Sequence, residues 1–186
     1  MRRSIPPCQS QIRLFRLRPL VVALTLGGAF ASSTPTYGQQ QLLKQELIGT
    51  WSFVVTAAQR KDGTKADVFG PNPSGVLMFH PDGHFVLINT RPDRPKYASG
   101  NRVQGTPEEF RETVLGSIAY FGAYSVDEAR KEFVLKIKGS TFPDYEGTEQ
   151  VRSFTIVGDE LRSINPNPSQ GGSPLDLVLK RLNKAE

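Results

Sequence analysis

Residues Val76–Asn89 read VLMFHPDGHFVLIN, and this stretch decides the fold. Val76–His80 and His84–Asn89 are rich in aliphatic, β-branched and aromatic residues, as β-strands are. Pro81-Asp82-Gly83 stands between them. Proline presets φ for the first turn position and glycine accepts φ > 0, so the segment predicts a tight antiparallel hairpin.

The same pattern repeats in both directions. Downstream, Ala119–Val126 and Glu132–Lys138 flank the turn segment Asp127–Lys131, and Gln150–Val157 and Glu160–Ile164 flank Gly158-Asp159. Leu175–Leu182 reads as a closing strand, and upstream Thr50–Ala57 is a strand followed by the turn Lys61-Asp62-Gly63. One helix interrupts the meander. Thr106 is its N-cap, Pro107 its first residue and Glu108 and Glu109 its acidic first turn. Phe110, Val114 and Ile118 make one apolar stripe along it. Leu42, Leu43, Leu47 and Ile48 suit a short helix ending at Gly49, preceded by a spacer over residues 32–41. Seven or eight strands with short turns mean a sandwich or a barrel, and pairing through local hairpins favours an up-and-down barrel. Closure at about eight strands removes the sheet edges and leaves an interior able to hold one small ligand.

The first 38 residues read differently. Arg2, Arg3, Arg13, Arg16 and Arg18 precede the apolar run Leu20–Ala31, which is too short to span a bilayer comfortably. A basic region, a short apolar region and small residues after it predict a secretory signal peptide, cleaved after Ala31 or Gly38. This implies a periplasmic or secreted domain over residues 39–186, touching a membrane only if the leader stays uncleaved. Cys8, the sole cysteine, lies in the leader, so the domain relies on its core rather than a disulfide. Without the five leader arginines, 18 basic face 18 acidic residues, which removes the basic balance that nucleic-acid binding requires.

Several segments together resemble the bacterial lipocalin-like family. They are Leu47-Ile48-Gly49-Thr50-Trp51, Phe69-Gly70-Pro71-Asn72-Pro73, Gly75-Val76-Leu77-Met78-Phe79 with Pro81-Asp82-Gly83, Tyr120-Phe121-Gly122-x-Tyr124-x-Val126, and Gly147-Thr148-x-Gln150-x-Arg152-x-Phe154. The resemblance runs over Leu42–Leu182 and implies an all-β, antiparallel, calycin-type barrel. It implies little about function, since one fold hosts many. A secretory leader sets this chain apart from relatives in cytosolic biosynthetic settings.

Trp51 is expected to plug the closed end of the barrel. Arg91, Arg94 and Tyr97 surround the RPDRP loop, where two arginines can grip a carboxylate, or where Asp93 can clasp one of them. Tyr120 and Tyr124 share one strand face with Gly122, leaving Phe121 and Ala123 on the other; which face points inward is open. Arg152 alternates with Phe154 and Ile156, so it reads either as an interior cation for a carboxylate or acidic ligand, or as a structural arginine covering Trp51. His80 and His84 flank Asp82 and are weak metal candidates beside the simpler reading of a polar cross-strand pair. No nucleophile–base pair, phosphate loop, dinucleotide fingerprint or zinc-protease motif is present in the sequence, and no cofactor is implied. The expectation is a barrel that binds a small, mostly apolar or amphipathic molecule. An isomerase or cyclase using Tyr120, Glu149 or Arg152, and an envelope module using the outer barrel surface, are the alternatives.

Overall fold

The computed structural model describes residues 37–60 and 62–182; residues 1–36 with the Ala31 cleavage point, Lys61 and residues 183–186 lie outside them, while the Gly38 point falls within the described residues. The elements are α1 (Tyr37–Leu47), β1 (Gly49–Gln59), β2 (Lys65–Asp67), β3 (Ser74–Phe79), β4 (His84–Thr90), α2 (Pro107–Leu115), β5 (Ser117–Asp127), β6 (Glu132–Ser140), a 3-10 turn (Pro143–Tyr145), β7 (Glu149–Val157), β8 (Glu160–Asn165) and β9 (Leu175–Arg181). β3 to β9 pair antiparallel in sequence order, and β1 pairs with both β3 and β9. The result is a closed eight-stranded antiparallel barrel, with β2 as an extra strand on β1.

The hairpins form where the turn chemistry placed them. Gly83 sits at φ 92°, His80 N–H donates to His84 O at 2.8 Å, and the Asp82 carboxylate accepts from His84 N at 3.0 Å. Gly158 closes the β7–β8 turn at φ 58°. β2 was not foreseen. Gly63 turns at φ 83° and Asp62 accepts from Thr64 N at 2.9 Å, which returns the chain onto Ala57–Gln59. α1 begins at Tyr37, so part of the expected spacer is helical.

Alternation divides each strand into an inner and an outer face. Leu77 and Phe79, Phe85 and Leu87, Phe133 and Leu135, Leu161, and Leu177 and Leu179 are buried inside. The barrel ends differ. Turns 80–83, 128–131 and 158–159 lie at one end with α1, whose Leu43 and Lys44 N–H groups donate to the Glu128 carboxylate. Trp51 is fully buried there and donates from its indole N–H to Leu47 O at 2.9 Å. Arg181 closes this end. Its guanidinium lies 4.0 Å over the Trp51 ring and donates to Ile48 O at 3.0 Å and Glu46 O at 2.6 Å. Covering Trp51 is therefore the work of Arg181, not Arg152. The opposite end carries the long connections: residues 60–73, residues 91–116 with α2, the 3-10 turn, and residues 166–174.

α2 forms as its cap predicts. Thr106 Oγ1 accepts from Glu109 N at 3.2 Å while the Glu109 carboxylate accepts from Thr106 N at 2.7 Å. Its apolar stripe is not buried, however. Val114 is 69% exposed and Leu115 57%, and Ile118 belongs to β5.

Candidate ligand-binding site

The exposed stripe borders a pocket of about 920 Å³ at the open end. Phe110, Val114 and Leu115 from α2, Phe69 from the connection after β2, Ile118 from β5 and Phe142 before the 3-10 turn make its apolar wall. Tyr97, Thr113 and Arg102 add polar groups, and the Tyr97 O–H donates to Thr113 Oγ1 at 3.1 Å. Volume and lining match those of small-molecule sites, which are mostly apolar with a few polar groups.

Deeper in the barrel lies a polar layer: Thr56, Tyr120, Asn89, Gln150 and Arg152 are all buried. Asn89 donates from its amide to Thr56 Oγ1 at 3.0 Å and leaves its Oδ1 without a partner. Arg152 is 1% exposed. Its Nη2 donates to Tyr120 Oη and to Gln150 Oε1, both at 2.6 Å, while Nε and Nη1 have no partner. Burial pushes the Tyr120 phenol above its ordinary range against the opposing pull of the Arg152 charge, so it stays a neutral hydroxyl. A run of rings joins this layer to the mouth. Phe142 stacks edge-on against Tyr145 at 5.1 Å, and Tyr145 against Tyr120 at 5.6 Å.

The sequence candidates separate into three places. Tyr120 and Tyr124 both face inward, with Phe121 and Ala123 outside, which settles the question alternation left open. Only Tyr120 reaches the polar layer. Tyr124 packs with Phe79 at 4.9 Å in the closed half and donates to His80 O at 3.0 Å. Tyr97 lines the mouth. Arg91 is taken up by a clasp: it pairs with Glu112 of α2 and lies 2.6 Å from Asp93. Arg94 donates from Nε to Arg91 O at 2.9 Å, bracing the same loop. Glu149, the carboxylate of the isomerase alternative, faces outward and pairs with Lys136 at 2.8 Å.

His80 and His84 sit at the closed end, far along the barrel from the pocket. Each Nδ1 lies 2.9 Å from Asp82 Oδ1, an exposed trio that holds the Asp82 carboxyl well below its usual range, through His84 first and His80 second. Among the described residues no group of three or more ligating side chains is placed to hold a metal.

Arg102 and Phe142 lie on irregular segments with no local signal, Phe69 stands in the sequence only as part of a family segment, and Thr113 lies on α2 beside the stripe of Phe110 and Val114 that spacing assigns to the core. Asn89 and Gln150 were within reach of the sequence. Each lies two residues from an inward neighbour, Leu87 and Arg152, on a strand whose alternation is clear.

A family model described as a lipocalin-like domain matches residues 48–177. Among solved structures, a lipocalin-like protein from Bacteroides uniformis ATCC 8492 is 16% identical, with 74% of this chain and 99% of that one covered at a TM-score of 0.41. A redesigned β-barrel is 15% identical, with 76% and 96% covered at 0.39. No curated protein matches the chain.

Proposed function

We propose that this chain, which belongs to the lipocalin-like domain family, binds a small, mostly apolar molecule at the open end of its barrel. One observation carries the reading: an amphipathic helix whose apolar stripe, instead of packing into the core, lines a pocket of about 920 Å³. Exposed apolar surface gathered in a concavity is stabilised by covering it with another apolar body. The clasp of Arg91 on Glu112 and the Glu109 capping box fix α2 beside the pocket, which reduces the ordering that a ligand must induce. The leader-like run of residues 1–38 supports placing this binding in the periplasm or outside the cell.

The test is titration with the neutral fluorophore N-phenyl-1-naphthylamine. Saturable binding that Val114→Asp abolishes, with the melting temperature unchanged, supports the reading. Val114 is exposed, so its replacement leaves the fold intact. Failure of the fluorophore to bind, or equal binding by V114D, overturns it.

A further inference from the structure

Resting on that reading of the barrel as a binder, we infer that its ligand is an acid whose carboxylate is received by Arg152 in the interior, with the apolar body toward the mouth. Strand alternation sets Arg152 between Gln150 and Phe154 on the inner face of β7, where it is among the largest fully buried side chains. Three other arginines lie directly against carboxylates: Arg91 on Glu112, Arg111 on Glu112, Arg162 on Glu160. Arg152 is more deeply buried than these, yet its partners are a phenol and an amide, both neutral.

A guanidinium carries five N–H donors. The two on Nη2 are used; the one on Nε and the two on Nη1 are not. Tyr120 accepts from Arg152, and its own O–H has no acceptor among the described residues. The site therefore holds surplus donors and an uncompensated positive charge. Water can accept those N–H groups but cannot neutralise the charge, and neither can an ester or an alcohol. A carboxylate does both, because hydrogen bonds between ionised partners are the short, strong ones. Buried cations without a counter-ion are otherwise strongly disfavoured. Between Tyr120 and the mouth pocket stand the rings of Tyr145 and Phe142 in edge-on contact, so the apolar body of the acid reaches Arg152 by displacing these rings and then lies against them.

The experiment is calorimetric titration of the purified chain with decanoate and with naphthalene-2-carboxylate, each against its own methyl ester, repeated on Arg152→Met. The expected result is acids bound about tenfold or more tightly than esters, a preference that falls to about twofold or less in R152M. Equal binding of acids and esters by the unaltered chain overturns the Arg152 inference and leaves the mouth pocket standing. An acid preference that survives in R152M overturns it as well. Binding of neither acids nor esters overturns the barrel reading itself. A second measurement needs no variant. Decanoate labelled with ¹³C at its carboxyl group, when bound, should keep the ionised chemical shift as pH falls through the ordinary carboxylate range. A bound signal that titrates like free decanoate removes Arg152 as its partner.

Discussion

Replacing Arg181 by alanine removes three close contacts at once from the closed end of the barrel, besides a 3.8 Å approach to the exposed Asp159 that contributes little. The first is the face of Trp51, 4.0 Å from the guanidinium, worth about 1–2 kcal/mol at a largely desolvated position. The others are the hydrogen bonds to Ile48 O and Glu46 O, which tie β9 to the end of α1. Charged donors to carbonyls contribute about 1.5–3 kcal/mol each when buried; since the side chain is 26% exposed, about 1 kcal/mol each is the fitting figure. The sum is about 3 kcal/mol, or about 6–12 °C in melting temperature for a domain of this size. Urea unfolding followed by far-ultraviolet circular dichroism reads it; fluorescence does not serve, because Trp51, the only tryptophan, is itself the contact. A double-mutant cycle of R181A with Trp51→Leu isolates the stacking, with an expected coupling of about 1 kcal/mol. Arg152→Met on the same assay should lose no more than about 1 kcal/mol, because an apolar side chain replaces a buried charge without a counter-ion. If R181A unfolds within about 1 kcal/mol of the unaltered chain while R152M loses about 3, the division of labour between the two arginines is wrong.

Three further outcomes follow from other parts of the molecule. A Cβ at Gly122 would lie 1.9 Å from Lys136 O, so Gly122→Ala must push β5 from β6; denaturant unfolding should show a loss of about 1–3 kcal/mol or more. Glu109 and Glu112 have folded pKa values below the ordinary 4.5, Glu109 through backbone N–H donors of Ala98 and Thr106, Glu112 through Arg91. Their contribution is complete above pH 4.5 and is lost as pH falls through the lower folded values, so hydrogen exchange over residues 91–116, corrected for intrinsic rate, should rise first in acid; uniform protection there down to global unfolding would contradict it. Tyr145→Phe removes the hydrogen bond to Asn167 O, 2.8 Å long, at a cost of about 0.5–1.5 kcal/mol, and should speed exchange over residues 166–174 while leaving the closed end unaffected.

How far the sequence alone encodes the fold and the site depends on how local each interaction is. The hairpins are legible there, since Pro81-Asp82-Gly83 and Gly158-Asp159 encode their own reversal within a few residues. So is the inward direction of Arg152, which follows from Phe154 two residues on. Barrel closure was reached by strand count and resemblance rather than by any local signal, because β1 and β9 meet across most of the chain. The same distance hid Arg181: its place above Trp51 needs the Trp51–Arg181 register of that pair, which nothing near either residue records. The stripe of α2 misled for another reason. Phe110 and Val114 are spaced alike whether they pack against a core or wait at a pocket, and only the exposure of Val114 tells the two apart. The Tyr120–Tyr124 ambiguity was resolvable in principle. In the β4–β5 register Leu87 meets Tyr120 and Phe85 meets Gly122, so the inner face of the first hairpin carries over to its neighbour.

The polarity of the barrel has a practical corollary for surface-based assays. β1 starts and β9 ends at the Trp51 end, where Leu182 N–H still donates to Thr50 O at 2.8 Å. A biotin or capture tag attached just beyond Leu182 therefore immobilises the barrel by its base, with the mouth turned toward the flowing solution. Coupling through Lys96 instead, in the loop beside Tyr97, would moor it by the rim and obstruct the pocket, so matched sensorgrams from the two orientations would report which end admits a solute.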